Sequence, residues 1–493
     1  MTAVQRLTGI VAAALIALAL WQLEAARAGL AIAPLRAGET PATVYRQPGT
    51  GGPLVVIAHG FAGSRQLMEA FALTLARAGY TAVSFDFQGH GRNPVPMSGD
   101  LTEIEGATRR LVAETAAVID AARDRLNASG PVALLGHSMA TDIVVRQTTA
   151  DPRITAVVAV SMYSEAVTAE LPKRLLVITG AWEPGLRRVA LDALRRVDPQ
   201  AEEGETVAGP AGDVRRRAVV APMVEHVGVL YSTTSLREAR AWIDAAHGRE
   251  SSGPVAATGG WIALLLGALL LLAWPLSALL PEGRHRPETP IASSFATATL
   301  VPAVLTPLLL YPLELRLLPV LVADYLALHL LVYGLIALAL LKWRGLRFGR
   351  LAVLPACALA VFGIGVFGLA LDRYAASFMP HVGRVPVILA LAVGAVPFML
   401  ADSLLTEAGR ARLWRRVAAR LALLASLGLA VALDFERLFF LIMVLPVTVL
   451  FFLVFGLMGR WVGRRCGTTI APGLALGLIL AWALGVTFPF VAT

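Results

Sequence analysis

Apolar residues are distributed unevenly along this chain. Residues 29–247 alternate short apolar runs with polar segments, which is typical of a soluble domain built from strands and helices. Residues 259–493 instead carry a succession of apolar runs, each close to the ~20 residues needed to cross the hydrocarbon of a bilayer. The pattern therefore predicts a soluble domain, a linker over residues 248–258 and an all-α membrane domain.

The apolar C-terminal region divides into about eight predicted transmembrane helices. Polar residues separate them clearly except around Glu314 and Arg316 and around Asp434–Arg437, where two neighbouring helices could merge or re-enter the membrane. The approximate limits of the predicted helices are 259–280, 291–313, 317–341, 351–371, 385–405, 417–433, 438–458 and 467–491.

Residues 1–28 are predicted to be a signal peptide or an N-terminal membrane anchor. Arg6 precedes an apolar stretch over residues 7–23, and residues 26–28 (Ala-Arg-Ala) have small side chains at the alternate positions that signal peptidase reads. Either form carries the chain that follows it across the membrane. Residues 29–247 are therefore expected to lie outside the cytoplasm.

Positive charges in the connections between the predicted helices support this orientation. With residues 29–247 outside, the inner connections carry fourteen Lys and Arg residues, Arg284 and Arg286 among them, whereas the outer connections carry four. An excess of Lys and Arg on the cytoplasmic side is the rule for multi-span proteins. We therefore predict a multi-pass protein of the cell (inner) membrane whose soluble domain faces the periplasm or the exterior.

Composition and charge narrow the classes of function. The chain of 493 residues is 57% hydrophobic and 16% charged, with a mean hydropathy of +0.68, which agrees with a large membrane-embedded part. The formal net charge of +9 would suit nucleic-acid binding, but many of the arginines lie in the connections between apolar runs, so we expect no nucleic-acid partner. Only two cysteines occur, Cys357 and Cys466, too few for a disulfide framework or a cysteine metal cluster. We expect neither a metal nor a cofactor.

A nucleophile motif follows a short apolar run in the soluble domain. Residues 131–135 are typical of a buried strand, and residues 136–140 read Gly-His-Ser-Met-Ala. The segment resembles the nucleophile elbow of α/β hydrolases, in which a sharp strand-to-helix turn presents the serine and requires small residues two positions away on each side. Ala140 stands where that family usually has glycine, and adds only a methyl group. The resemblance makes Ser138 the candidate nucleophile.

Two upstream segments strengthen the resemblance because they occur in the family's order. Residues 54–63 form an apolar run followed by His-Gly-Phe-Ala-Gly, and residues 82–92 form another that leads into Asp-Phe-Gln-Gly-His-Gly-Arg. The resemblance covers roughly residues 40–247 and implies the α/β-hydrolase fold, a mostly parallel sheet with helices on both faces. It also implies an oxyanion hole made by the backbone N–H groups of Phe61 and Met139.

The resemblance further implies an acid and a base after the serine, in that order. A predicted strand over residues 174–179 ends in Gly-Ala-Trp-Glu, which places Glu183 in the acid position; Asp192 and Asp198 are the alternatives. Another predicted strand, over residues 218–221, precedes the candidate base, His226. The other histidines are given solvent-exposed, core or loop-shaping roles: His59, His90, His137, His247, His285, His329 and His381.

Together these residues imply a serine hydrolase that cleaves an ester through an acyl-enzyme. Only about a dozen residues separate the predicted strands over 154–160 and 174–179, too few for the helical cap of many lipases, so the bilayer or the membrane helices could shield the site. This favours a lipid-like ester as substrate, with membrane lipids as partners. The alternatives are a non-catalytic binding module on a transporter-like or scaffold protein, and an acyltransferase.

Two further features have a structural and a functional interpretation. Asp324, His329 and Asp402 lie within or near predicted helices, where ionisable groups are candidates for function although helix packing would also explain them. The polar segment over residues 198–217, which ends in Arg215-Arg216-Arg217, is predicted to be a surface insertion just before the loop of His226 that could fold partly over the pocket. We interpret its arginines as part of a solvent-exposed surface, and a contact with anionic lipid head groups is the alternative.

Overall fold

A nine-stranded sheet organises the first half of the chain. The computed structural model describes residues 1–49, 51–100, 104–283 and 288–492. In these ranges the strands are β1 (Ala31–Ala37), β2 (Thr40–Arg46), β3 (Leu54–Ala58), β4 (Thr81–Phe85), β5 (Val132–His137), β6 (Ile154–Val160), β7 (Arg174–Gly180), β8 (Thr206–Ala208) and β9 (Arg215–Ala221). Their order is β1-β2-β4-β3-β5-β6-β7-β9-β8, and pairing is parallel from β4 through β9 but antiparallel at the outer strands β1, β2 and β8.

Helices cover both faces of this sheet. Helices α3 (Arg109–Leu126), α4 (Met139–Ala150) and α5 (Pro184–Arg195) pack on one face, and α2 (Glu69–Arg77) and α6 (Thr233–Ala246) pack on the other. All five residues of β3 are buried because alternate side chains enter the two cores. A strand buried on both faces is apolar throughout, which explains the continuous apolar runs of the sequence. The predicted fold class is confirmed.

Nine helices of the described ranges are long and apolar enough to cross a membrane. One of them, α1 (Ala3–Ala25), lies at the N-terminus, and the other eight confirm the predicted all-α region. Residues 311–322 and Asp434 separate the neighbouring helices that the sequence left uncertain. These eight spans, some interrupted by a π or 3-10 turn, are Gly259–Ser277, Ala292–Leu310, Ala323–Trp343, Val353–Tyr374, Val382–Leu405, Leu413–Leu433, Phe435–Cys466 and Ile470–Thr487.

Connections at one end of this helical region contact the hydrolase-like domain. Ser377 N–H donates to Ser64 Oγ at 3.0 Å. Phe490 N–H donates to the Gly89 carbonyl at 2.7 Å, and the buried guanidinium of Arg384 donates to the same carbonyl at 2.8 Å. The loop after β4 therefore contacts both the start of the span Val382–Leu405 and the segment after the last described span.

Connections at the opposite end contact one another. Gly283 N–H donates to the Arg465 carbonyl at 3.0 Å, and Arg347 N–H donates to Glu288 Oε2 at 2.9 Å. Two ends with separate sets of contacts are what alternating spans produce. Of the cations counted on the inner side, Arg284 and Arg286 lie outside the described residues, as does His285.

Helix α1 packs against the helical region along its length. Ala12, Ala19 and Leu23 are buried, and Glu24 Oε1 accepts hydrogen bonds from Arg373 at 2.9 Å and Tyr374 at 2.7 Å. The residues that follow are held as well. Arg77 donates to the carbonyls of Ala25 at 2.8 Å and Ala26 at 3.1 Å, and Arg27 forms an ion pair with Glu69. The segment that resembles a signal-peptidase site is thus part of a hydrogen-bonded contact.

Candidate active site

Ser138 occupies a sharp turn between β5 and α4. Its φ of 52° and ψ of −120° are unusual for a residue other than glycine, and such strain persists only where the surroundings hold it. A Cβ on Gly136 would lie 2.7 Å from the Ala140 carbonyl oxygen, and one on Gly60 would lie 2.9 Å from the Cβ of Ser138. The turn therefore needs glycine at position 136, while the methyl group of Ala140 fits, fully buried, at the other end.

The three predicted catalytic side chains form one hydrogen-bonded chain. Ser138 Oγ lies 2.9 Å from His226 Nε2, and His226 Nδ1 lies 2.6 Å from Glu183 Oε1. The strands β5, β7 and β9 that precede them are parallel, so their carboxyl ends meet at one edge of the sheet. The alternative acids are placed elsewhere: Asp192 lies within α5, and Asp198 accepts a hydrogen bond from Gln200 N–H.

The carboxylate of Glu183 is held from two further directions. Its Oε2 accepts hydrogen bonds from Gly180 N–H at 2.6 Å and Ser161 Oγ at 2.8 Å. Burial disfavours the charged form, but the bonds from His226, Gly180 and Ser161 together outweigh burial and lower the pKa of Glu183. The side chain faces His226 as an anion. Ser161 was missed in the sequence, where its only signal is a position directly after β6.

Two backbone N–H groups beside Ser138 are available to a ligand. Met139 is the first residue of α4, so its N–H has no acceptor within the helix. Phe61 lies in the turn after β3, and its N–H has no hydrogen-bond acceptor among the described residues. By contrast, Ser138 N–H is already bonded to the Val160 carbonyl at 2.9 Å.

Three buried histidines surround the site without joining the hydrogen-bonded chain. His137 Nε2 donates to the His226 carbonyl at 2.9 Å, and burial lowers its pKa to about 3, so the ring is neutral. His59 Nε2 accepts from Phe87 N–H at 3.1 Å, so it links the loops after β3 and β4. His90 Nδ1 donates to the Gln88 carbonyl at 2.8 Å, and burial lowers its pKa to about 3.

The loops after β3 and β4 bring the site against the helical region. The ring of Phe61 stacks on that of Phe440, with centroids 5.4 Å apart and an angle of 27° between the planes. Phe440 belongs to a 3-10 turn, Phe439–Met443, near the start of the span Phe435–Cys466. Arg92, from the loop after β4, forms an ion pair with Asp372 of the span that ends at Tyr374. The edge of the sheet that carries Ser138 thus faces the helical region.

The ionisable residues singled out in the helical region have other partners. Asp324 accepts hydrogen bonds from the N–H groups of Leu317 and Leu318 at 3.1 Å, so it shapes a turn between spans. Asp402 lies 3.8 Å from the guanidinium of Arg420. His329 Nε2 lies 3.0 Å from Ser426 Oγ. Within the described part of the chain, no three His, Cys, Asp or Glu side chains come together in a way that could hold a metal ion.

A mostly parallel sheet with helices on both faces, and a serine on the sharp turn after a central strand, are the features of the α/β-hydrolase fold. The N-terminal domain of this chain has that fold, as its motifs predicted. More particularly, residues 52–198 match the family described as serine aminopeptidase, S33. The matched range includes Ser138 and Glu183 and ends before His226.

Solved structures similar to this domain come from several bacteria. A Thermus thermophilus protein is 19% identical over 45% of this chain and 99% of its own length, with a TM-score of 0.33. Dienelactone hydrolase from Anabaena variabilis is 20% identical over 44% of this chain and 97% of its own, with a TM-score of 0.31. A putative α/β hydrolase from Agrobacterium tumefaciens is 15% identical over 46% of this chain and 100% of its own, with a TM-score of 0.35. No curated protein sequence matches the chain.

Proposed function

We propose that this protein is a membrane-integral serine hydrolase that cleaves a carboxylic ester of a lipid-like substrate through an acyl-enzyme. The observation that carries the proposal is the continuous hydrogen-bonded chain from Ser138 through His226 to Glu183, at a strained turn. A serine hydroxyl is a poor nucleophile until a neighbouring base can take its proton. His226 is the base, and Glu183 orients it.

In the first half of the reaction, Ser138 Oγ attacks the ester carbonyl carbon while His226 Nε2 takes the hydroxyl proton. Glu183 keeps the remaining proton of the imidazole on Nδ1 and stabilises the imidazolium. The N–H groups of Phe61 and Met139 receive the negative charge that develops on the carbonyl oxygen, an effect worth about 3 kcal/mol for each donor. Collapse breaks the bond to the alcohol, which leaves with the proton from His226.

In the second half, water replaces the alcohol. His226 takes a proton from the water, whose oxygen attacks the acyl carbon of the ester on Ser138. Collapse returns the proton to Ser138 Oγ and releases the carboxylic acid. Both halves therefore use the same base and the same two N–H groups.

An ester is preferred to a peptide because of the side chains around the site. The matched family is described as aminopeptidases, so amide cleavage is the second candidate. Recognition of a free amino terminus needs a carboxylate near the nucleophile. The exposed carboxylate next to His226, that of Glu225, already accepts hydrogen bonds from Val227 N–H and Gly228 N–H at 2.8 Å. Other exposed side chains near the site are apolar or aromatic: Tyr163, Trp182, Met223 and Val227. Such side chains suit an acyl chain or another apolar group.

The apolar helices and their contacts support a cell-membrane location with the hydrolase domain on the periplasmic or external side. On this proposal residues 1–28 remain attached as a further span, because α1 packs on the helical region and the chain after it is bonded to Arg77. Membrane lipids are then both neighbours and substrates. The intact mass of the purified protein tests retention, and a mass lacking these residues would contradict it.

The test of the hydrolase function is labelling with a fluorophosphonate probe, which reacts with activated serines. Wild type is expected to be labelled and Ser138→Ala not, whereas Ser426→Ala, a matched change at another serine that contacts a histidine, keeps the label. Unlabelled protein from the same preparation is then assayed on p-nitrophenyl butyrate, p-nitrophenyl laurate and alanine p-nitroanilide. Faster turnover of the anilide would favour the aminopeptidase, and folded wild type without any label would exclude a serine hydrolase.

A further inference from the structure

The candidate site is bordered by residues that are far apart in the chain. On one side, the Phe61 ring stacks on Phe440, which the membrane region contributes through the turn Phe439–Met443. Phe440 also contacts Phe439, with ring centroids 5.6 Å apart. Phe439 is exposed, and Phe61 and Phe440 are only partly buried. The aromatic surface therefore begins at the loop proposed to bind the oxyanion and continues into the membrane region.

On the other side, exposed apolar side chains follow the carboxyl ends of the neighbouring strands. Trp182 directly precedes Glu183, and Val227 directly follows His226. Tyr163 lies beside the start of α4, since its carbonyl accepts a hydrogen bond from Thr141 Oγ1 at 3.2 Å. Trp182, the largest of them, is 65% exposed. Trp and Tyr are enriched where a protein meets the membrane–water interface, and exposed apolar clusters mark sites of interaction.

The orientation of the sheet identifies what these side chains meet. The loops after β3 and β4 at the same edge are attached to the membrane region through Ser64 and Arg92. This edge of the sheet therefore faces the end of the spans to which the two loops are attached. In a membrane, lipid would surround the spans beside this edge. An ester held in the leaflet beside the spans would reach Ser138 past these exposed side chains and would meet Phe440 on the far side of the site.

We infer that the membrane domain forms one wall of the acyl-binding site, and that Phe440 is a specificity-determining residue for the acyl chain of a lipid drawn from the adjacent leaflet. The inference rests on the proposed ester hydrolysis and adds to it the source of the substrate and the residue that selects its chain. Contact with Phe440 adds binding energy for a long chain that a short chain cannot reach. The hydrolase domain alone lacks this wall.

The test compares p-nitrophenyl laurate with p-nitrophenyl butyrate on the full chain in lipid nanodiscs. In Phe440→Ala we expect the ratio of kcat/KM for laurate to that for butyrate to fall about tenfold, the effect of losing one apolar contact. Any fall in kcat/KM for butyrate should be smaller than the fall for laurate, because the short ester does not reach the wall, and the variant should still take the fluorophosphonate label. Phe440→Tyr keeps the stacked ring and is expected to keep the ratio.

The matched control is Phe435→Ala, which removes an exposed ring that contacts Phe439 rather than Phe61. It should leave the ratio unchanged. Should Phe440→Ala not fold, Phe440→Leu keeps an apolar side chain without the stacked ring, and its ratio is expected to fall about threefold.

Two results would overturn the inference while the hydrolase function stands. One is an unchanged or raised ratio in a Phe440→Ala protein that a separate sample shows to be competent for labelling. The other is an equal fall on both esters, which would mean that Phe440 only supports the loop of Phe61. Folded wild type that takes no fluorophosphonate label would overturn the hydrolase function itself, and the inference with it.

Discussion

Two histidines in this molecule each contact a serine hydroxyl, one in each domain. In the hydrolase domain, His226 Nε2 lies 2.9 Å from Ser138 Oγ, and in the membrane domain His329 Nε2 lies 3.0 Å from Ser426 Oγ. The two histidines differ in the partner of the other ring nitrogen, Nδ1. His226 Nδ1 faces the carboxylate of Glu183 at 2.6 Å, whereas His329 Nδ1 faces the hydroxyl of Tyr325 at 3.4 Å.

The surroundings of the two pairs differ as well. The His226 side chain is 43% exposed and Ser138 lies on a strained turn, while His329 is fully buried and both it and Ser426 belong to helices. A neutral hydroxyl cannot stabilise an imidazolium as a carboxylate does. A short distance between a serine hydroxyl and an imidazole nitrogen therefore does not by itself make the serine a nucleophile. The carboxylate, access for a substrate and free N–H groups distinguish the site from a packing contact.

Removing the two imidazoles is expected to give the largest difference between the pairs. His226→Ala should lower kcat/KM for p-nitrophenyl butyrate by about 10⁵-fold, since serine then has no base. His329→Ala should change it by less than about threefold, because that ring is remote from the substrate. Comparable losses in two folded variants would refute the assignment of the base.

Replacing the carboxylate of Glu183 should make the pair of Ser138 and His226 resemble the pair of Ser426 and His329. Glu183→Gln keeps the size of the side chain but cannot stabilise the imidazolium, so kcat/KM should fall by about 10⁴-fold. Asp192→Asn, at the alternative acid, is the matched control and should retain activity. If the two variants behaved in the opposite way, Asp192 and not Glu183 would be the acid.

A smaller effect is expected from Ser161→Ala, which removes one of the bonds that lower the pKa of Glu183. We expect kcat/KM to fall about tenfold, the cost of one hydrogen bond to a charged group. The depressed pKa stabilises the fold at pH values above the unfolded pKa of Glu183, and this stability is lost as the pH falls through the folded pKa.

The same change should therefore alter the pH dependence of stability. In Ser161→Ala the folded pKa of Glu183 rises, so the acid-induced loss of Tm should begin at a higher pH than in wild type. Thermal unfolding followed across the acidic range measures this. An unchanged acid profile together with full activity would mean that Ser161 does not position the carboxylate.

The smallest effect on activity is expected from Ser426→Ala. The change leaves a buried imidazole nitrogen of His329 without a partner, which should cost about 1 kcal/mol of stability. Turnover and labelling should remain those of wild type, and thermal unfolding in nanodiscs should show the loss of stability. Reduced labelling of the folded variant would reveal a link between the two pairs that the contacts do not provide.

The fold was predictable where the sequence constrains both faces of an element. The apolar runs that became β3, β5 and β6 have few other interpretations, because a strand covered by helices on both faces must be apolar throughout. The candidate residues Ser138 and His226 were found from local motifs for a related reason. The sharp turn at Ser138 restricts its neighbours to small residues.

Contacts between segments that are far apart in the chain could not be predicted from the sequence. Nothing near Phe61 indicates that it stacks on Phe440, and nothing near Glu183 indicates the bond from Ser161. Residues 198–217, predicted to be a surface insertion that could fold partly over the pocket, instead contain β8 and the start of β9, and β8 pairs with β9 at the outer edge of the sheet. Arg216, expected on a solvated face, is fully buried and donates to the Ala193 carbonyl at 2.8 Å. A run of arginines indicates an exposed surface, so the sequence gives no sign of a strand in which one arginine is buried and donates to backbone carbonyls.

The contact between the loop after β4 and the segment after the last span has a consequence for biosynthesis. Met97 N–H donates to the Phe490 carbonyl at 2.8 Å, and Ala492 N–H donates to the Met97 carbonyl at 2.8 Å. Ribosomes make residues 89–97 early and residues 488–492 only after all the described spans, and domains generally fold in the order of synthesis. The loop after β4 can therefore form these bonds only once the last described span has been made.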